Sequence, residues 1–392
     1  MRLLVVTHVV GKHDGQGRVN YEIVRAALEA GHLVTVLGSQ IASGLLEHPH
    51  LKFVCLPEGR LPSRLLKYQM FALRSAVWIR AHRSEFDVVH VNGFITWARS
   101  DVNTVHFVHD GWYRCGFYPF RLFSGAYEAY QVAFTRLNAW CEKRAFRDTH
   151  VVVAVSHKVS AEVQATGIDA RSIQVIHNGV DLCEFAPGVA GRERFGLPSE
   201  PFMLLFAGDL RIPRKNLETV LRALVAAPPN VHLVVAGDLR NSPYPALVQT
   251  LRLDSRVHFI GFVRDMPALM RSVNAFVFPS RYEAMSLVLL EALASALPVI
   301  TVATAGGAEV IDSECGVVLS SPEDVYGLAA AIRLLADEPQ RAQAMGAAAR
   351  ELATSLSWRN MAARYLALYE ERLSVQRSPV SQSGRNRVSA TS

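Results

Sequence analysis

The chain repeats one alternation. Residues 2–10, "RLLVVTHVV", form a short apolar run suited to a buried strand, and a glycine-bearing loop follows. Residues 20–32, "NYEIVRAALEAGH", carry apolar positions at helical spacing and break at Gly31; "LVTVLG" is apolar again. Strand, loop, helix, strand is the signature of a parallel sheet, because neighbouring parallel strands need a crossover between them. "FDVVHVNG", "DVNTVHFVHD" and "THVVVAVSHKVSAEV" continue the series, which closes with "IQVIHNGVDLCEF" and its Asn178-Gly179 turn. The pattern then restarts. "PFMLLFAGDL", "VHLVVAGD", "VHFIGFV", "AFVFPS" and "LPVITVA" read as strands with helical segments between them.

Two α/β units are therefore expected, joined by the loop-like "FAPGVAGRERFGLPSEP". A first unit covers 1–185 and a second 200–356. The helical pattern "WRNMAARYLALYEERL" lies beyond the second, and the polar tail 377–392 lacks periodicity and reads as disordered. A length of 392 residues agrees with two domains, and half of the residues are hydrophobic. The net charge of +6 is mildly basic, which fits an anionic substrate or membrane surface and not a dedicated nucleic-acid binder. The five cysteines are scattered and form no C-x-x-C, so reduced thiols in a cytoplasmic protein are expected. No apolar run is long enough to cross a membrane as a helix.

In open parallel sheets ligands sit beyond the carboxyl ends of the strands, so the loops there are the candidate site. Residues 11–18, "GKHDGQGR", place Gly15 and Gly17 where backbone amides can approach an anion. A dinucleotide fingerprint would need glycine at position 20, which is Asn20. Residues 208–216, "GDLRIPRKN", cluster Arg211, Arg214 and Lys215, a set suited to a diphosphate. Residues 280–300, "SRYEAMSLVLLEALASALPVI", hold two glutamates eight apart in an apolar segment. With Glu283 in a loop and Glu291 in the helix after it, the amides of Met285, Ser286 and Leu287 lie at the helix start, aimed at an anion. Two carboxylates flanking a phosphate describe a nucleotide sugar.

This E-x7-E stretch, with "LLEA" and "PVI" after it, resembles the donor motif of the retaining GT-B glycosyltransferases of family 4. The segments "VSHKVSAEVQATGIDARSIQVIHNGVD", "FAGDLRIPRKNLETVLRAL", "VHFIGFVRDMPALMRSVNAFVFPS", "AGGAEVI" and "LSWRNMAARYLALYE" are similar to others of that family, in the same order. The resemblance spans roughly residues 1–373. It implies two Rossmann-like doubly wound parallel-sheet domains facing across a cleft, the last helix (about 357–373) returning to the first domain. It implies transfer of a sugar, with retention, from a nucleotide sugar such as a UDP- or GDP-sugar to a hydroxyl of a glycan or lipid-linked acceptor. No metal and no further cofactor are expected.

By the same resemblance, Glu283 touches the donor sugar, Glu291 the ribose and Lys215 the leaving diphosphate. Gly15, Gly17, Ala284, Met285, Ser286 and Leu287 line the donor, with Val263 in the base-binding segment. A histidine near the end of an early strand touches the sugar. "TVHFVHDGW" offers His106 and His109, and the later one is favoured. The family's arginine after the loop glycine is Asp209 here, so Arg211 or Arg214 stands in, Arg211 being preferred. Ala284 and Ser286 replace two glycines of the family motif. Residues 60–83, with six Lys/Arg and no acid, read as a basic amphipathic helix for an anionic membrane surface at the inner face of the cytoplasmic membrane. The competing readings are a GT-B epimerase or phosphorylase, a non-catalytic nucleotide-sugar-binding protein, and a nicotinamide-dependent oxidoreductase.

Overall fold

The structure, a computed structural model, describes residues 1–12, 15–57, 62–188 and 191–377. The expected disordered tail lies, from residue 378 on, outside the described residues. Seven parallel strands form the first sheet. Their spatial order is Leu51–Cys55, Leu33–Gly38, Arg2–Val6, Val88–Asn92, Ser100–Val105, Thr149–Ala154, Ile173–Val175. Val88–Asn92 and Ser100–Val105 are buried along their whole length, as strands covered by helices on both faces must be.

A second parallel sheet has six strands, in the order Val257–Gly261, Val231–Ala236, Phe202–Ala207, Ala275–Phe278, Val299–Val302, Gly316–Leu319. Each sheet starts in its interior, runs outward to one edge, then returns and runs to the other. The reversal in the second sheet falls between Phe202–Ala207 and Ala275–Phe278, which pair directly. The loops after those two strands, 208–216 and 279–286, are thereby neighbours at a topological switch point.

The chain passes between the sheets twice, and the two passages are bonded. Val180 N–H donates to the Leu356 carbonyl at 2.8 Å, and Trp358 N–H donates to the Val180 carbonyl at 3.2 Å. The Arg350 guanidinium pins the outgoing passage through the carbonyls of Leu182 (3.0 Å) and Phe185 (2.7 Å). After its return the chain forms the helix Trp358–Arg377, which packs on the helix Gly15–Glu29. Its Trp358, Met361, Tyr365, Leu368 and Tyr369 share a buried cluster with Leu3, Val5, Val19 and Ile23. The last helix is thus part of the first domain's core. The hydroxyl of Tyr369 meets His90 Nδ1 at 2.8 Å and that of Tyr365 meets Thr104 Oγ1 at 3.0 Å, giving the buried His90 and Thr104 partners from the last helix.

All five cysteines are free thiols. Among the described residues no helix is long and apolar enough to cross a membrane.

At the crossing, Gly179 leaves room for the returning chain. A Cβ there would stand 2.5 Å from Trp358 N and 2.6 Å from its Cα. Gly179→Ala is expected to destabilise the protein by about 1–3 kcal/mol, because backbone and not a flexible side chain must move. An unchanged denaturation midpoint would mean that the paired passages separate at no cost.

Candidate active site

The two switch-point loops are tied to each other by main-chain contacts. Arg281 N–H donates to the Arg214 carbonyl at 2.8 Å, and Ser280 Oγ donates to the same carbonyl at 3.1 Å. Asn216 ends the basic loop in a left-handed conformation (φ 64°), which asparagine tolerates. Its buried amide donates to the carbonyls of Pro279 (3.1 Å) and Pro322 (2.7 Å). Lys215 is held next to Glu283 by this arrangement.

The Glu283 carboxylate is the focus of the pair. Its Oε1 receives Lys215 Nζ at 2.7 Å, Arg214 Nη1 at 3.1 Å and Ser280 Oγ at 3.1 Å. Burial alone would raise its pKa, but the charges of Lys215 and Arg214 and their hydrogen bonds outweigh burial and hold it below the ordinary value. Glu283 is therefore an anion at neutral pH, and its second oxygen accepts no hydrogen bond from the described residues.

The glycine replacements at Ala284 and Ser286 are accommodated without strain. Ser286 has φ −78° and ψ 117°, open to any residue. The small residue the loop needs is elsewhere: a Cβ on Gly306 would overlap the Ala284 carbonyl. Gly306 N–H donates to the Glu283 carbonyl at 3.0 Å, and Ser286 N–H donates to the Gly306 carbonyl at 3.1 Å. The Ser286 amide is thereby spent, which corrects the expectation that it is aimed at an anion. The helix Leu287–Ala294 starts with no side-chain cap, so its first amides remain available.

That helix start faces another. The helix of the first domain begins at Gly15, so Gly15 and Gly17 lie in its first turn and not in a preceding loop. A Cβ on Gly15 would contact the Leu287 side chain at 3.8 Å. Two helix N-termini, each with a partial positive charge, thus converge from opposite domains. They open onto a cleft of about 1310 Å³ bordered by Gly15, Lys215, Glu283, Met285, Leu287 and Glu291. That exceeds the roughly 300–1,000 Å³ of an ordinary small-molecule pocket, which leaves room for two substrates.

Glu291 behaves differently from Glu283. Its carboxylate accepts no hydrogen bond from the described residues. Burial pushes its pKa up to about 7, the neighbouring Glu184 adds to the rise, and Arg18 opposes it. Arg18 is engaged elsewhere, with Glu22 at 2.9 Å and Asp181 at 3.3 Å. The Glu291 carboxylate on the cleft wall is thus free to accept hydrogen bonds.

Not every expected residue is brought to the cleft. Val263 borders it beside Phe262 and Met266, whereas Gly17 is buried within its helix and Ala284 lies behind the wall in the core. Arg211 is turned outward, because Asp209 captures it through Nε and Nη2, both at 2.9 Å. Arg214, and not the preferred Arg211, reaches Glu283. His109 opens the helix His109–Arg114, where Glu142 takes its Nδ1 at 2.7 Å and its backbone N–H at 2.9 Å. His106 is the histidine on the cleft wall. It donates from Nε2 to Asn92 Oδ1 at 3.1 Å, and burial lowers its pKa to about 4, so it is neutral with Nδ1 free to accept. Lys12, Arg18 and Glu184 were not singled out by sequence; only Lys12 and Arg18 had a signal, as the basic residues of the first glycine segment.

The 279–286 loop also reaches into the first domain. The Tyr282 ring lies against Phe107 and Trp112, its hydroxyl 2.9 Å from the Val108 carbonyl and 2.8 Å from Glu162 Oε2. Ser156 Oγ donates to the Ala284 carbonyl at 2.8 Å.

Comparison with known proteins agrees with this arrangement. The family model of glycosyltransferase family 4 matches residues 13–184, and that of the group 1 glycosyl transferases matches residues 190–352. A D-inositol 3-phosphate glycosyltransferase of Xylanimonas cellulosilytica is 28% identical over 358 residues, covering 83% of this chain and 81% of that protein. Against several other curated relatives the match spans about half of their length. Sucrose-phosphate synthase from Thermosynechococcus elongatus superposes with a TM-score of 0.79 at 21% identity, over 95% of this chain and 99% of that one. Anabaena HepE, solved with UDP-glucose, superposes with a TM-score of 0.70 at 20% identity, over 96% of this chain and 100% of that one. The chain belongs to the group 1, family 4 glycosyltransferases, and its two facing parallel-sheet domains are the GT-B architecture.

Proposed function

We propose that the cleft binds a UDP- or GDP-sugar and transfers the sugar, with retention, to a hydroxyl of a glycan or lipid-linked acceptor. The product would be a cell-surface polysaccharide or lipopolysaccharide of a bacterium. The observation that carries this reading is the placement of an ionised Glu283 on Lys215 and an unpartnered Glu291 on the same cleft, with an uncapped helix start between them. HepE, which shares the fold, is solved with UDP-glucose. In this reading Glu291 takes the ribose hydroxyls, the Leu287 helix start takes the diphosphate, and Glu283 takes the sugar.

The chemistry asks little of an external base. The bond from the anomeric carbon to the diphosphate oxygen breaks as the acceptor oxygen approaches from the same face. The acceptor proton passes to the departing diphosphate. Lys215, set beside Glu283, neutralises the charge that develops on the leaving group, the role a preorganised donor plays best. No metal is assigned to this step. Lys215→Ala is expected to lower kcat about 10²–10³-fold, with folding retained. Glu283→Gln, which keeps shape and removes the charge that holds Lys215, is expected to fall in the same range. Wild-type turnover in either purified variant would remove that residue from the mechanism. Binding of the nucleotide sugar with neither transfer nor hydrolysis would favour a non-catalytic binding protein, for which the Asp209–Arg211 pair is the supporting feature.

Glu291 gives a second test. Its raised pKa means that the folded chain holds a proton the unfolded chain has lost. The associated stability is present below pH 4.5, the ordinary value, and is lost as pH rises to about 7. Glu291→Gln should therefore melt higher than wild type at pH 8, with the gap closing towards pH 4.5. The same variant should lose the thermal stabilisation that a UDP- or GDP-sugar gives to wild type. A variant stabilised by the donor as fully as wild type would sink the ribose assignment.

The acceptor side is proposed to meet an anionic membrane surface. The helix Arg64–His82 turns Leu66, Leu73 and Val77 to solvent beside Arg74 and Arg80. Residues 60 and 61 of the expected basic segment lie outside the described residues. Sedimentation with anionic vesicles should be salt-sensitive and weakened in Leu73→Glu/Val77→Glu. Equal binding to neutral and anionic vesicles would dismiss it.

A further inference from the structure

Away from the cleft, the seam between the domains carries three metal-ligating side chains that sugar transfer does not use. His157 opens the helix His157–Ala165, and His177 follows the strand Ile173–Val175, both in the first domain. Glu309 lies in the single turn Ala308–Val310 of the second. One ligand atom from each lies within 4.8 Å of the other two. His177 Nε2 donates to Glu309 Oε1 at 2.8 Å. The backbone N–H of His157 donates to the same oxygen at 2.7 Å, and that of Lys158 donates to Oε2 at 3.1 Å, so the carboxylate is fixed in orientation. The His157 and His177 rings meet edge-on, with centroids 5.8 Å apart and planes at 71°. The His157 ring nitrogens have no hydrogen-bond partner among the described residues.

We propose that His157, His177 and Glu309 form a binding site for a divalent transition-metal ion, with Zn²⁺ the best fit, that clasps the two domains together. Two imidazole nitrogens and one carboxylate oxygen, with a fourth position for water, suit Zn²⁺, Co²⁺ or Ni²⁺ and not the oxygen-seeking Mg²⁺ or Ca²⁺. The metal takes the place of the Nε2 proton that His177 donates to Glu309, and the neutral ring then carries its proton on Nδ1. Ligands about 2.1 Å from a tetrahedral ion stand roughly 3.4 Å apart, so the His177–Glu309 pair opens by about 0.6 Å while the widest separation closes by up to about 1.4 Å. His157 supplies that movement, since no hydrogen bond restrains its exposed ring. The ion would act on how the domains sit against each other, because the site does not border the cleft that holds Lys215 and Glu283.

The test uses the full chain, stripped with a chelator and titrated with Co²⁺ while the visible ligand-field absorption is followed. One equivalent of Co²⁺ is expected to bind and to be displaced by Zn²⁺. The melting temperature should rise with the logarithm of Zn²⁺ concentration. Loss of a supporting partner alone costs a metal site roughly 10–100-fold in affinity, so His157→Ala and His177→Ala should each weaken binding at least that far. His157→Ala is the variant least able to disturb folding, since its ring is exposed and unbonded. The double variant His48→Ala/His50→Ala, at another close pair of histidine rings on the surface, should leave binding unchanged. Absence of saturable one-to-one binding, or equal affinity in wild type and His157→Ala, would overturn the proposal.

Discussion

Strands wound in parallel must be joined by crossovers, and the crossovers leave all carboxyl ends on one edge of the sheet. Every feature of the cleft descends from that constraint. It places the 208–216 and 279–286 loops side by side where the second sheet reverses direction, so Lys215 and Glu283 can pair across 68 residues of sequence. It also turns the helix starts of Gly15 and Leu287 towards the same space. The site is thus an edge property of two sheets, and its residues come from segments that share nothing locally.

Within that space two glutamates of one motif are driven in opposite directions. Glu283 is buried with cations and stays charged. Glu291 is half-buried without a cation that bonds it, and desolvation lifts its pKa to about 7. In the proposed reading the contrast separates their tasks. A carboxylate already neutralised by Lys215 and Arg214 can be approached by a reacting sugar, while one that carries an uncompensated burial cost gains most from the hydroxyls of a ligand. Stability given up at Glu291 is the kind of local compromise that the proposed ligand contact would account for.

Much of this was legible in the sequence, because its strongest signals are local. Apolar runs alternating with helical spacing mark a parallel sheet, and the restart of the pattern marks the second. Glu283, Lys215 and Glu291 stand out as charges at strand ends or in an apolar helix. The errors have tertiary causes. Arg211 and Arg214 are equivalent as letters; only the turn through Pro213 and the capture of Arg211 by Asp209 separate them. His106 and His109 differ by where the strand stops and the short helix begins, which apolar spacing does not resolve. The strand Gly316–Leu319 is too short to announce itself. Gly306 shows its purpose only when the Ala284 carbonyl lies over it, and the Ser286 amide is lost to that same contact.

The return of the last helix has a consequence for how the chain is made. Trp358, Tyr365 and Tyr369 fill a core whose other walls, from Leu3, Val5 and Ile23 to Val88, Val102 and Val153, are made long before them in synthesis. During synthesis the earliest strand and helix therefore wait with an open apolar face while the second domain, contiguous in sequence, is free to fold ahead of them. Of these two domains the one translated first is completed last, and a chain cut short before Trp358 would hold a second domain attached to a first one whose core is unfinished.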